Sequence, residues 1–353
     1  MKVLVAMSGG VDSSVAAVLL ARAGHDVTGV TLKLWGGDSD SGCCSVSDVD
    51  DARRAADHLG LEHHVFNFGQ DFDEHVVDPY VRAHQDGLTP NPCVECNRHL
   101  KFERLTTRAA QLGFDAVATG HHAVVEHDRD GRAWIGRGAD PAKDQSYVLH
   151  MLTGRQLDGL LLPIGAMTKT AVRAVAEEAG LRIAAKPDSQ DVCFITRTEG
   201  RRRFLEQRID LHPGTVVDQT GHQVGTVDAV EMVTIGQRRG LGVSGTHDPR
   251  FAVDVDVRER RVVIGPKSDL LVSRTAVTDL GWAHDPVEGA VLVQTSAHGD
   301  PTAASIAPGD GNDVVVSWSR ARQRVAPGQS VVFYDGTRVL GGGIAGFGGG
   351  IAG

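Results

Sequence analysis

The chain has 353 residues, 41% of them hydrophobic, and a net charge of −9. At roughly 150 residues per domain this length implies two or three domains with real cores, and the acidic total excludes a generally basic nucleic-acid coat. Met1-Lys2-Val3 leads straight into a strand and no apolar run of about 18 residues occurs, so the chain reads as a soluble, cytoplasmic protein with no signal peptide and no membrane partner.

Positions 3–7, Val-Leu-Val-Ala-Met, read as a short buried strand, and 11–23 as a helix closed by Gly24. Between them lie Ser8, Gly9 and Gly10. A strand, a turn of small residues and a helix N-terminus form an anion site, because free N–H groups and the helix dipole point at the turn. The glycines let a phosphate approach the backbone, and Ser8, Ser13 and Ser14 offer hydroxyl donors. No Lys follows the glycines, so this is not a Walker loop. Ser-Gly-Gly-Val-Asp-Ser instead resembles the pyrophosphatase loop of enzymes that adenylate a substrate.

Strands and helices then alternate. Strands are predicted at 27–34, 62–68 and 115–119, and helices at 47–60, 71–86, 97–112 and 168–179. Such alternation implies an α/β domain, a parallel sheet covered by helices with its ligand at the carboxyl ends of the strands. The segment at 128–131 breaks the pattern as a surface hairpin. Thr119-Gly120-His121-His122 stands where a strand ends, and Lys143-Asp144-Gln145-Ser146-Tyr147 precedes an apolar stretch that reads as a helix.

Five cysteines are too few and too odd for a disulfide scaffold in a chain of this length. Cys93 and Cys96 follow Thr89-Pro90-Asn91-Pro92, with Asn97 as a helix cap. A thiol at a helix N-terminus is more easily ionised, and the spacing admits a redox pair, half a zinc site or iron–sulfur ligands. Cys43 and Cys44 are adjacent and awkward for one ion. Cys193 precedes Phe194 and Ile195, as a core thiol would.

Beyond 210 helices almost vanish. Alternating runs at 224–230, 251–257, 261–264, 290–295, 313–318 and 330–334, separated by Gly, Pro and Asp, predict small β structures. The division expected is 1–205, a linker domain at 206–270, and a barrel at 271–353 whose glycine-rich end finishes a strand and then frays. Arg201–Arg203, Arg258–Arg261 and Arg320, Arg322 and Arg324 are the local basic patches.

Taken in order, these segments resemble the tRNA-specific 2-thiouridylases. The resemblance rests on Ser8 to Ser13, Thr89 to Pro92 with Cys96-Asn97, Lys101-Phe102, Thr119 to His121, Lys143 to Tyr147, Asp188-Ser189, Cys193 to Ile195, Thr234 to Gly242, Pro327 to Gln329 and Leu340 to Gly343. It implies an adenine nucleotide alpha-hydrolase-like N-terminal domain that forms 2-thiouridine at the tRNA wobble position. ATP with Mg²⁺ would lie along Ala6, Met7, Ser8, Gly9, Gly10, Val11, Asp12 and Ser13, beside Leu32 and Gly120. The tRNA and its target base would meet Asn91, Pro92, Cys93, His121, Lys143, Asp144, Gln145 and Gln329. Cys193 would carry persulfide sulfur received from a sulfur-relay protein, and Cys96 would be the nucleophile, with a Cys96–Cys193 disulfide as one outcome. Many members carry Asp where this chain has Cys93. Cys93, Cys96 and Cys193 are therefore also candidate ligands of an iron–sulfur cluster, ranked below the persulfide route. In the barrel, Thr295-Ser296-Ala297-His298 replaces a frequent Arg-Tyr-Arg tRNA contact. The alternatives are another adenylating ligase or amidotransferase, or a nucleotide-binding protein without catalysis.

Overall fold

The computed structural model describes residues 1–34, 46–188, 192–195, 200–243 and 248–346. Cys43 and Cys44 lie outside them, as does the glycine-rich end from residue 347.

Strands β1 (Lys2–Ala6), β2 (Asp26–Lys33), β3 (Glu62–Asn67), β4 (Ala116–Thr119) and β7 (Leu160–Leu161) form a five-stranded sheet in the order β3-β2-β1-β4-β7. Every pairing in it is parallel. Its inner strands are continuous apolar runs because both faces are covered. On one face lie α1 (Val11–Arg22), α2 (Val46–His58) and the helix Lys169–Glu178, whose alanines and valines pack against Val3, Val5 and Met7. On the other face, Leu4, Val30 and Val117 meet Phe72, Tyr80, Leu100, Leu105 and Phe204.

The helix expected at 71–86 begins at Gly69 and widens to a π turn at Asp73–Val77. Pro79 follows in the first turn of Asp78–Gln85. A proline supplies no N–H to the preceding turn, and a wider turn there accommodates the missing bond. After Gln145 the chain makes only a short 3₁₀ turn, Ser146–Leu149, rather than a helix. Asp144 draws in the N–H of Ser146 at 3.0 Å, which fixes a tight turn at that point.

The middle of the chain forms a four-stranded sheet, β10-β11-β8-β9 (Phe251–Asp256, Arg261–Gly265, Gly214–Val217, Gln223–Val227). The C-terminal strands are β12 (Leu271–Trp282), β13 (Gly289–Gln294), β14 (Thr302–Pro308), β15 (Val314–Gln323), β16 (Ser330–Asp335) and β17 (Arg338–Ala345). They run β12-β15-β14-β13-β16-β17 and close through the β12–β17 pairing. Closure removes the free edges of the sheet.

The local pattern missed β7, β8, β12 and β14, whereas the strand expected to finish in the glycine-rich end is β17. β14 is rich in alanine. β17 carries three glycines where side chains do not fit: a Cβ on Gly341 would lie 2.3 Å from the Gly281 carbonyl oxygen. The hairpin at 128–131 is correctly placed but is not merely a surface feature. Its strands β5 (Ala123–His127) and β6 (Ala133–Arg137) extend the barrel sheet through Arg338 and Gly136. Arg137 rivets the two parts together: it bonds Asp144 at 2.7 Å and Gln294 at 2.7 Å, and it lies 4.0 Å over the Tyr334 ring.

Candidate active site

Chain order places the site. From β1 the chain moves outward to β2 and β3, then crosses to β4 on the other side of β1. A crevice opens where the winding reverses, at the carboxyl ends of β1 and β4. The Met7–Gly10 turn fills its floor. Gly9 has φ +73°, and a Cβ there would come within 2.2 Å of the Asp48 carbonyl oxygen. Both conformation and space therefore require glycine. Gly10 is the N-cap of α1 and provides no side-chain cap, so the first turn's N–H groups stay available to an anion. Ser13 Oγ accepts from the Ser8 N–H at 3.1 Å and donates to the Gly10 carbonyl at 3.2 Å, which braces the turn.

The end of β4 closes over this helix start. A Cβ on Gly120 would lie 2.5 Å from the Ser13 nitrogen. Overpacking costs about 1–3 kcal/mol, and each 1.4 kcal/mol is about tenfold in affinity. Gly120→Ala is accordingly expected to weaken binding of a non-hydrolysable ATP analogue by about tenfold or more, read by titration calorimetry. Unchanged affinity would show that nucleotide does not occupy this loop.

Asp12, in the first turn of α1, is gripped by Lys169 Nζ at 2.8 and 2.7 Å and approached by His122 Nε2 at 3.3 Å. Burial opposes its ionisation, but the His122 and Lys169 contacts outweigh it and hold the carboxyl below its ordinary range. Lys169 Nζ also lies 2.7 Å from Asp188, which Lys143 contacts at 2.7 Å and Arg173 at 3.1 Å. Burial works to raise the Asp188 carboxyl, yet Lys143 and Lys169 bring it down to about 2. Lys186 reaches the Gly9 carbonyl at 3.0 Å, Asp48 at 2.8 Å and Asp51 at 2.7 Å. Two cations thus join the 186–188 segment to the phosphate-type loop. Asp188 and Lys143 stand in recognisable motifs, but Lys169 has no motif around it and only the fold reveals its place.

His121 is buried and bonded to Thr119 Oγ1 at 2.7 Å. Burial, with help from Lys101 and His122, pushes its pKa far down, so it is neutral. Gln145 brackets the next peptide: its side chain accepts from the His122 N–H and its own N–H donates to the His122 carbonyl, both at 2.9 Å. Lys143 is partly exposed and engaged with Asp188. Asp144 faces inward, its side chain 8% exposed, and accepts from Arg137, Gly138 and Ser146. It holds the hairpin to the loop rather than facing solvent.

Asn91 caps the helix Pro92–Glu95, its side chain accepting from the Cys93 N–H at 3.1 Å. Cys96 opens the next helical stretch, Cys96–Arg104, and is buried. Cys96 and Cys193 belong to one apolar cluster that also includes Leu4, Ala6 and Leu32; Cys93 is half-buried and outside that cluster. A cleft of about 300 Å³ runs between the Thr89–Pro92 loop and the Val192–Ile195 segment, lined also by Tyr80, His84 and Arg201. Of the arginine cluster, Arg201 reaches this cleft, while Arg202 pairs with Glu206 at 2.6 Å and Asp228 at 3.5 Å. Gln329, on the barrel, donates to the Thr89 carbonyl at 2.6 Å.

Among the described residues no set of three His, Cys, Asp or Glu side chains is placed to hold a metal ion. Cys93, Cys96 and Cys193 do not form such a set among the described residues. Among the same residues no helix is long and apolar enough to cross a membrane.

Residues 1–197 match the sequence model of the tRNA methyl transferase HUP domain, 202–266 that of the tRNA methyl transferase PRC-barrel domain, and 272–345 that of the aminomethyltransferase beta-barrel domain. The chain is 46% identical over 349 residues to the tRNA-specific 2-thiouridylase MnmA of Chloroflexus aurantiacus, covering 97% of each chain. To the protein of the same name from Heliobacterium modesticaldum it is 44% identical over 355 residues, covering 97% of this chain and 91% of that one. A 4-thiouridine synthetase–RNA complex with bound ATP is a partial structural match, with TM-score 0.37 and 18% identity over 58% of this chain and 49% of that one. With near-complete coverage at such identity, the chain belongs to the tRNA-specific 2-thiouridylase family.

Proposed function

We propose that this chain is an ATP-dependent tRNA-uridine 2-sulfurtransferase, which converts wobble uridine to 2-thiouridine in the cytoplasm with release of AMP and pyrophosphate. The observation that supports the reading most is that Cys96 and Cys193 belong to one apolar cluster with Ala6 and Leu32, residues of the nucleotide-type segment. The three-part division at 205 and 270 belongs to the same reading.

In this scheme ATP, accompanied by Mg²⁺, lays its phosphates on the Ser8–Ser13 turn. Uridine O2 attacks the α-phosphorus, pyrophosphate departs, and the oxygen becomes part of a good leaving group. The loop N–H groups and serine hydroxyls stabilise charge growing on the phosphoryl oxygens. Asp12 is already committed to Lys169, so the cation most directly aimed at the loop is Lys169 itself. Cys193 carries the outer sulfur of a persulfide supplied by a sulfur-relay protein. That sulfur forms the new bond to C2, and AMP leaves with the original oxygen. The transferred atom must gain two electrons, which come from Cys96 and Cys193 as they join in a disulfide. A thiol reductant then restores both. Lys143, Gln145 and the Arg201–Arg203 helix start form the proposed tRNA face, with the target base in the cleft beside Asn91, Pro92 and Cys93.

The test combines the protein with ATP labelled at the α-phosphate, a persulfide donor and bulk tRNA, followed by nucleoside analysis. Expected are 2-thiouridine and one AMP and one pyrophosphate per thiolated base. Turnover to ADP and phosphate would sink the adenylation scheme. Nucleotide binding without tRNA-dependent pyrophosphate release would leave only a binding protein.

A further inference from the structure

Adenylation at O2 leaves a proton to be placed. As uridine O2 attacks the α-phosphorus, the O–P bond forms and the bond to pyrophosphate breaks. The base stays neutral only if its N3–H bond breaks too. That electron pair closes an N3=C2 double bond while the C2–O2 π pair moves to oxygen. When sulfur adds to C2 and AMP departs, N3 must regain the proton to give 2-thiouridine. One group beside N3 that takes a proton and later returns it serves both steps.

The cleft between the Thr89–Pro92 loop and the Val192–Ile195 segment offers such a group. Among the described residues lining it there is no carboxylate, Arg201 is a cation and Tyr80 a phenol, which leaves His84 as the base. His84 is 3% exposed and stands in the last turn of the helix Asp78–Gln85. Its Nδ1–H donates to the Tyr80 carbonyl one turn back at 2.9 Å, and its ring centre lies 4.4 Å from that of Tyr80. A carbonyl only accepts, so the proton of the neutral ring is fixed on Nδ1 and the lone pair on Nε2. Among the described residues Nε2 has no hydrogen-bond partner.

Few charged or titratable groups surround the ring. Tyr80 is on the same helix, and burial raises its hydroxyl, which stays neutral. Arg201 comes from the helix Gly200–Glu206. Segments 89–92 and 192–195 bring no charged side chain, and Cys193 is their one titratable group. Burial lowers the His84 pKa; the Tyr80 bond works against this and the Arg201 charge adds to it. The ring is therefore neutral at pH 7, with its lone pair available.

We propose that His84 Nε2 accepts the N3 proton of the target uridine during adenylation and returns it during sulfur transfer. The proposal rests on the thiolation reading, which seats the target base in this cleft. It also makes His84 a reader of the base, because Nε2 meets a position that carries hydrogen in uridine.

The experiment compares wild type with His84→Ala in single-turnover, tRNA-dependent pyrophosphate release across pH, with and without added imidazole. General-base catalysis contributes about 10²- to 10⁴-fold. The variant is expected to lose about 100-fold in rate with ATP affinity within about twofold, and imidazole to restore about tenfold of it in proportion to its unprotonated form. The wild-type rate should fall as pH drops below the ordinary histidine value of 6.5, since protonation removes the lone pair, and the variant should lack that limb. A rate within about threefold of wild type would overturn the proposal. So would a loss that imidazole does not restore and that keeps the acid limb, since it would make His84 a packing residue. Should His84→Ala not fold, His84→Phe keeps a ring against Tyr80 and is read by rate and pH profile. A binding arm without ATP uses tRNA carrying 3-methyluridine at the wobble position. The methyl group is expected to weaken binding about tenfold in wild type and less than about twofold in His84→Ala. An equal penalty in both proteins would show that His84 does not meet N3. If wild type releases no pyrophosphate with tRNA, the proposed function fails, while the binding arm still decides the contact.

Discussion

Cys96→Ser and Cys193→Ser are each expected to lower 2-thiouridine formation by about three orders of magnitude or more, while Cys93→Ser retains measurable activity. A serine hydroxyl cannot carry a persulfide, and it cannot supply a sulfur for the closing disulfide. Neither loss should touch adenylation, so a first turnover of pyrophosphate release persists in both dead variants. Cys96 and Cys193 share an apolar cluster, whereas Cys93 is half-buried outside it, on the helix turn that Asn91 caps. Thiolation and pyrophosphate release measured on protein purified in air decide the matter. A dead Cys93→Ser variant, with activity following iron content and anaerobic handling, would overturn the persulfide route and restore the three-cysteine ligand set.

Lys169→Gln is expected to lower tRNA-dependent pyrophosphate release by about 100- to 1,000-fold, with Lys169→Arg recovering part of it. An ammonium has three donors, and all three are occupied here, two on Asp12 and one on Asp188. A polyanionic triphosphate arriving at the loop must draw this cation from a carboxylate or meet Asp12 unaided. Glutamine leaves Asp12 and Asp188 without their shared charge, beside a transition state that gathers negative charge on phosphate oxygens. The loss should fall on kcat more than on ATP affinity, because the loop N–H groups still hold the nucleotide. Release within about threefold of wild type would remove Lys169 from the chemistry. Asp188 carries a consequence in pH. Its folded carboxyl is held at about 2 against an ordinary 3.8, so its contribution to stability is complete above about 3.8 and is lost as pH falls towards 2.

Much of this protein was legible without a fold. The Ser8–Ser13 turn, its flanking strand and helix, and the cysteines at 93, 96 and 193 are local patterns, because a helix start, a glycine turn and a proline-fixed loop are decided by neighbours in the chain. The change from alternating strands and helices to short strands after residue 210 was equally visible, since periodicity is a local property. What the sequence left open depends on contacts between distant segments. Lys169 lies in an ordinary helix start, and nothing near it marks a partner of Asp12 and Asp188. Asp144 looks exposed in a charged string, yet the fold turns it inward to meet Arg137 from the β5–β6 hairpin. The glycines at 341–343 read as the end of a strand, but only the fold shows why they are glycines, since β12 and β16 crowd them on both sides. Gln329 stands 240 positions from the carbonyl it grips. Ion pairs and close backbone approaches of this kind depend on separation in space, and for these residues separation in space was set by the parallel sheet and the closure of the barrel.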